Sequence, residues 1–240
     1  MFFIFKLGGL TMDTMVLYIQ HAFNVDTNEV EYGELLIRKY KGIDNVIDIL
    51  RYVDENNEFI DFDLEIIDRA IEFITNNNIK YRVAVNLSPN TLKFSEATDK
   101  IIDKLNNCGC KDKIVLEITE DTNLDSRKVL SSIKRLVAEN IIIALDDFGT
   151  SKSSLKGLVN IETNYIKIDK SFIDSLIDED KIKRERDQII LDSIRDMAEA
   201  LKASVIVEGV ETLEQLEEAR KLGFNCIQGY LLEKPMPLYT

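Results

Sequence analysis

The sequence predicts an α/β chain folded as a closed (β/α)8 barrel. Three observations carry this reading. Short β-branched runs recur along the chain, amphipathic helical stretches separate them, and no Gly-rich dinucleotide fingerprint follows any run. Strict alternation of this kind implies a parallel sheet with helical crossovers. Pattern alone also allows an open doubly wound sheet, a rival that the missing fingerprint weakens.

Taken in order, the runs are "VLYIQ", "YRVAVNLS", "KIVLEIT", "IIIALDD", "NYIKID", "SVIVEGVE" and "NCIQGY". Between them, "DLEIIDRAIEFITNN" puts Ile66, Ile67, Ala70, Ile71 and Ile74 on one helical face. "SRKVLSSIKRLVAEN" does the same with Val129, Leu130, Ile133, Leu136 and Val137, and "QIILDSIRDMAEALKA" with Ile190, Ile194, Met197 and Leu201. Thr212 to Gln215 reads as a capping box, and Gly223 stands where a helix ending at Leu222 needs a left-handed residue. The charge run "DEDKIKRERD", Asp178 to Asp187, reads as a solvated loop leading into a helix. No linker or low-complexity tract divides the chain, so residues 15–240 read as one domain. The apolar opening "MFFIFKLGGL" is too short to span a bilayer and lacks a signal-type cleavage site, so residues 1–14 read as a leader of unassigned role.

Composition narrows the function. Forty-three Asp and Glu against 30 Lys and Arg give a net charge of −13. Such a chain has no general attraction for polymeric nucleic acid or an anionic membrane. Any phosphate compound it handles must be met by bound cations or a few local Lys and Arg. Cys108, Cys110 and Cys226 form no C-x-x-C pair, and one His leaves little for a Cys/His metal site, which fits a reduced, cytoplasmic protein.

The strand ends carry the chemistry. "RVAV" delivers Asn86, "IVL" delivers Glu117 with Glu120 beyond, and Ile141 to Leu145 deliver Asp146 and Asp147. "YI" delivers Lys167, "SVIV" delivers Glu208 with Glu211 following, and "CI" delivers Gln228. A lone carboxylate at a strand end is ordinarily a helix cap or a solvated group. A barrel, however, gathers all of these at one mouth, where active sites sit. Two carboxylates about 4 Å apart repel by roughly 4 kcal/mol at an effective dielectric of 20. The set therefore calls for protonation or for cations among them. Oxygen ligands with one amide suit Mg²⁺, Mn²⁺ or Ca²⁺ rather than zinc. Adjacent aspartates suit two ions, with one carboxylate bridging.

These residues fall in motifs that resemble the EAL-domain phosphodiesterases of cyclic di-GMP. The motifs are "GELLIR" (Glu34, Arg38), "VNLSP" (Asn86), "LEITE" (Glu117, Glu120), "LDDFG" (Asp146, Asp147), "IKIDKSFI" (Lys167), "VEGVE" (Glu208, Glu211) and "QGYLLEKPMP" (Gln228). Gln20 in "LYIQHAF" resembles the family's substrate-contacting glutamine, with His21 where proline is usual. The resemblance runs from about Leu17 to Pro237 and implies a modified TIM-like barrel whose first strand is antiparallel to the rest. It implies two divalent ions, Mg²⁺ or Mn²⁺. Glu34, Asn86, Glu117 and Asp146 would hold the first, and Asp146 and Asp147 the second with Glu208 nearby. It further implies catalytic roles for Glu34, for Lys167 holding the attacking water and for Glu208 as general base. Gln20, Arg38 and Gln228 would contact substrate, while Glu120 and Glu211 would support the site. The product implied is linear pGpG, and the assembly a homodimer. Ammonium surrounded by carboxylates stays protonated, so Lys167 reads as a charge partner rather than a base.

Departures from the pattern are Leu for the middle alanine of the name motif, Ser151-Lys152 in place of Gly-Tyr, and no closing helix before Thr240. The chief alternative is a non-catalytic cyclic di-GMP receptor. A barrel with enolase-like metal chemistry is a third reading.

Overall fold

The structure is a computed structural model and describes residues 15–119, 126–149 and 161–238. Residues 1–14, Glu120 and the Ser151-Lys152 pair lie outside that range. Eight strands close a barrel: β1 (Met15–Asn24), β2 (Glu29–Tyr40), β3 (Arg82–Asn86), β4 (Ile114–Thr119), β5 (Ile142–Phe148), β6 (Tyr165–Ile168), β7 (Ser204–Val207) and β8 (Cys226–Gln228). From β2 to β8 each strand pairs in parallel with the next. β1 closes the ring, antiparallel to both β2 and β8. The expected antiparallel first strand is therefore present. Its cause is the short connection from Asn24 to Glu29, since a parallel crossover needs a dozen residues or more. Asn24 Oδ1 builds that turn by accepting from the backbone N–H groups of Asp26 and Thr27. A short β9 (Met236–Pro237) pairs antiparallel with β1 at Tyr18 and Ile19.

Seven helices surround the barrel among the described residues: α1 (Val46–Glu55), α2 (Phe59–Asn76), α3 (Ser95–Asn107), α4 (Arg127–Ala138), α5 (Lys170–Leu176), α6 (Lys181–Leu201) and α7 (Leu213–Lys221). Strand periodicity divides the side chains. Val83, Val85, Leu116 and Ile143 point outward into a cluster with Ile66, Ile67 and Ile133 of the helices. On the other flank Leu145, Ile166, Val207 and Ile227 meet Ile173, Leu191 and Ala219. Side chains as deeply buried as Ile166 and Ile227 each contribute about 2 kcal/mol. Inside the barrel, Ala22, Tyr32, Ala84, Val115, Ala144, Tyr165, Ile206 and Cys226 form one apolar layer, small residues offsetting the two tyrosines.

The Thr212 capping box forms, and Gly223 follows α7 with φ of 83°. The charge run is a correction. Only Asp178 to Asp180 lie outside a helix; from Lys181 the run is the start of α6, whose N-cap Asp180 accepts from the N–H groups of Ile182 and Lys183. Its alternating charges sit on an exposed helix face, where periodicity is carried by few apolar residues. No helix among the described residues is long and apolar enough to cross a membrane.

Candidate active site

One step above the apolar layer, the same inward positions carry polar groups. Gln20 on β1 and Glu34 on β2 face each other in register, as do Asn86 at the end of β3 and Glu117 on β4. Asp146 and Asp147 come from β5, Lys167 from β6 and Gln228 from the end of β8, while Glu208 directly follows β7. Asn86, Glu117, Asp146, Asp147, Lys167, Glu208 and Gln228 of the predicted strand-end set thus converge on one mouth, Glu120 lying outside the described residues.

Lys167 is its centre. The side chain is 1% exposed, and Nζ lies 2.7 Å from Glu208 Oε1, 2.9 Å from Glu117 Oε1, 3.0 Å from Asp146 Oδ1 and 3.2 Å from Glu34 Oε2. Burial alone would push the ammonium down. The charges of Glu117, Glu208, Glu34 and Asp146 outweigh it and hold the pKa well above the usual lysine value. The ammonium is therefore a fixed charge and not a base. Around it, Gln228 Nε2 and Asn86 Nδ2 donate to Glu34, and Tyr32 OH donates to Glu117 Oε1 at 2.7 Å.

The paired aspartates depend on a bulge. Leu145 pairs with Ile166 and Phe148 with Ile168, so two residues of β5 oppose Lys167 alone. Regular pleating would send consecutive side chains to opposite faces. Asp147 instead adopts φ of 55°, in the left-handed region that Asp tolerates better than most residues. As a result, carboxylate oxygens of Asp146, Asp147 and Glu208 lie within 4.8 Å of one another. Burial and then the Asp146 charge raise Asp147 to about 6, and burial raises Glu208 to about 8 against the opposing pull of Lys167. Glu117, fully buried, is also raised well above the ordinary range, by desolvation and then by Glu34.

These groups fit divalent cations. Five carboxylates (Glu34, Glu117, Asp146, Asp147, Glu208) face one ammonium, leaving four negative charges when all are ionised, which two divalent ions would balance. Glu117 Oε2 and Asp146 Oδ1 are buried without a hydrogen-bond partner among the described residues. The latter lies near Lys167 Nζ, but outside hydrogen-bond geometry. Buried orphan carboxylate oxygens of this kind are what a cation satisfies.

The mouth opens into a cavity of about 380 Å³ lined by Glu34, Asp146, Asp147, Lys167 and Glu208 together with Lys170, Glu211 and Tyr230, while Glu117 lies buried beneath it. Glu211 pairs with Lys170 at 2.6 Å. Arg38 lies elsewhere: it lines a neighbouring, mostly apolar cavity of about 580 Å³, stacks on Tyr18 and donates to its neighbour's carbonyl, Ile37 O. Asn86 borders both the carboxylate cluster and that second cavity. Two residues were not read from the sequence. Tyr32 stands two before Glu34, and strand periodicity alone puts both inside. Asp63, on α2 beside the larger cavity, is buried and raised to about 7 by desolvation, against hydrogen bonds from Thr91 and the Ser88 N–H. No sequence signal distinguishes it from other helical acids.

The family model described as EAL domain matches residues 8–235. The chain belongs to the EAL domain family. It is 30% identical over 237 residues to the probable cyclic di-GMP phosphodiesterase PdeA of Escherichia coli, covering 96% of this chain and 32% of the relative. It is 30% identical over 241 residues to the cyclic di-GMP phosphodiesterase NbdA of Pseudomonas aeruginosa, covering 96% of this chain and 30% of that one. This EAL domain thus spans about a third of the length of those relatives. Among solved structures, it superimposes on the PaMucR phosphodiesterase complex with c-di-GMP with a TM-score of 0.81, 28% identity, and coverage of 93% of this chain and 97% of that one. The Klebsiella pneumoniae BlrP1 complex with manganese and cyclic di-GMP gives a TM-score of 0.82 at 25% identity, covering 97% of this chain and 59% of BlrP1.

Proposed function

We propose that this domain is a divalent-metal-dependent phosphodiesterase that hydrolyses cyclic di-GMP to linear pGpG. The observation that supports it most is the uncompensated charge at the mouth: of five carboxylates gathered there, four contact one buried lysine, and two of their oxygens make no hydrogen bond among the described residues. Relatives named cyclic di-GMP phosphodiesterases and a c-di-GMP complex of similar fold supply the substrate.

In this reading Glu34, Asn86, Glu117 and Asp146 hold one ion, and Asp146, Asp147 and Glu208 the other, as Mg²⁺ or Mn²⁺. Such ions, when bound, acidify water and neutralise charge on the phosphoryl oxygens. Lys167 fixes the carboxylates and orients the attacking water, and the Glu208 carboxylate accepts its proton. The oxygen attacks phosphorus in line, the bond to the 3′ oxygen breaks, and that oxygen takes up a proton. Gln20 and Gln228 contact the substrate at the carboxylate mouth. Arg38 grips it from the neighbouring cavity, whose apolar walls suit a purine base and whose guanidinium suits bidentate phosphate binding.

The test is product chromatography after incubation with cyclic di-GMP and Mn²⁺, with a chelator control. Formation of pGpG only with metal is the expected result. Binding without conversion would instead favour the receptor reading, and neither would remove cyclic di-GMP from the account.

A further inference from the structure

Outward from the mouth, the single histidine of the chain sits in a closed polar cluster that the mechanism above does not use. His21 neighbours Gln20 on β1, so its ring points to the opposite face of the strand. The residue is 9% exposed. Its Nδ1 lies 2.7 Å from Glu233 Oε1, its backbone N–H donates to the same oxygen at 3.2 Å, and its Nε2 lies 2.8 Å from Tyr81 OH. An ionised carboxylate only accepts, so Nδ1 carries the proton toward Glu233. In the neutral ring Nε2 then accepts from the Tyr81 hydroxyl. Gly33 leaves the room this requires. A Cβ there would stand 3.0 Å from Tyr81 Cε2 and 3.2 Å from His21 Cδ2.

The cluster is joined to the mouth by main chain. Glu233 O accepts from Gln20 Nε2 at 3.0 Å, and Gln20 O in turn accepts from Gln228 Nε2, which also donates to Glu34. The side chain of Glu233 is thus anchored by His21, and the carbonyl of the same residue orients the Gln20 carboxamide. We propose that His21 is a positioning residue for substrate binding, acting through Glu233 to hold Gln20 in the mouth of the barrel. The substrate part of this inference rests on the cyclic di-GMP reading; the anchoring part does not.

The experiment has two readouts. In a proton–nitrogen correlation spectrum, the Gln20 side-chain amide is identified by its loss in Gln20→Ala. It is expected to be dispersed in the parent and to collapse toward the free-amide position in His21→Ala and in Glu233→Ala. His21→Asn, whose amide N–H can stand in for Nδ1–H, retains the parent position. In steady-state kinetics with Mn²⁺, His21→Ala raises KM about tenfold, the scale of one hydrogen bond, with kcat within about twofold. It adds nothing to Gln20→Ala, because both changes remove the same interaction. A Gln20 resonance unmoved in His21→Ala and Glu233→Ala overturns the positioning role, as does a KM effect that multiplies with that of Gln20→Ala. Collapse in the two variants, together with a parent that never turns over cyclic di-GMP, upholds the anchoring and retires the phosphodiesterase reading instead.

Discussion

Two successive layers of the barrel interior are built by the same strands and could hardly differ more. The lower one, from Ala22 and Tyr32 round to Cys226, is apolar and closely filled. The upper one, two residues further along each parallel strand and two residues earlier on the antiparallel β1, crowds carboxylates around Lys167 and leaves two of their oxygens without hydrogen bonds. The lower layer supplies stability through burial. The upper layer costs stability, because like charges are held together out of water. Tyr32 joins them: its ring belongs below and its hydroxyl serves Glu117 above. A fold keeps such a costly layer when a ligand resolves the charge, and that is the physical basis for reading the mouth as a metal centre.

The contrast can be broken from either side. The largest expected effect is on turnover. Glu34→Ala and Asp146→Asn each should reduce cyclic di-GMP hydrolysis by at least about 1,000-fold, the loss of some 4 kcal/mol of transition-state stabilisation. Because each substitution also removes a repelling charge, the metal-free variants should melt no lower than the parent, which paired kinetic and thermal measurements would show. Next comes Lys167→Met. It deletes the one cation among four contacting carboxylates and should destabilise the metal-free protein by about 3 kcal/mol in denaturant unfolding. Ala144→Leu, in the lower layer, should cost about 2 kcal/mol through overpacking, and added Mn²⁺ should leave that difference unchanged.

The smallest effect concerns pH. Burial raises the folded-state pKa of Glu208 to about 8 and of Asp147 to about 6, above their unfolded values. The folded protein therefore binds protons that the unfolded chain has released. Stability from these groups is full below about pH 4 and is lost as pH rises through 6 and then 8. Metal-free protein should accordingly melt higher at pH 5 than at pH 8. Saturating Mn²⁺ binds the ionised carboxylates and should remove or reverse that slope.

The layers were not equally legible in the sequence. Strand ends bearing Asn86, Glu117, Asp146, Lys167, Glu208 and Gln228 stand out because each follows a β-branched run, and a barrel gathers such ends whatever their spacing. β2 was not among the runs read as strands. "EVEYGELLIRKY" mixes charged and apolar residues without a continuous β-branched stretch, because its inner face carries Tyr32 and Glu34. Asp63 escaped notice for the opposite reason, being one acid among several on an amphipathic helix. The bulge that turns Asp146 and Asp147 to one side was equally hidden, since no glycine marks the left-handed position at 147. The extent of α6 was misjudged where its first two turns carry mostly charged residues. What the sequence shows well is residue type at strand ends. What it shows poorly is backbone irregularity, and the placing of the paired aspartates depends on one such irregularity.

The most direct measurement is an anomalous-difference map from crystals grown with Mn²⁺. The account predicts two peaks in the upper layer, one contacted by Glu34, Asn86, Glu117 and Asp146, the other by Asp146, Asp147 and Glu208. A map with no peak at this mouth, or with manganese only on the outer surface, would contradict it.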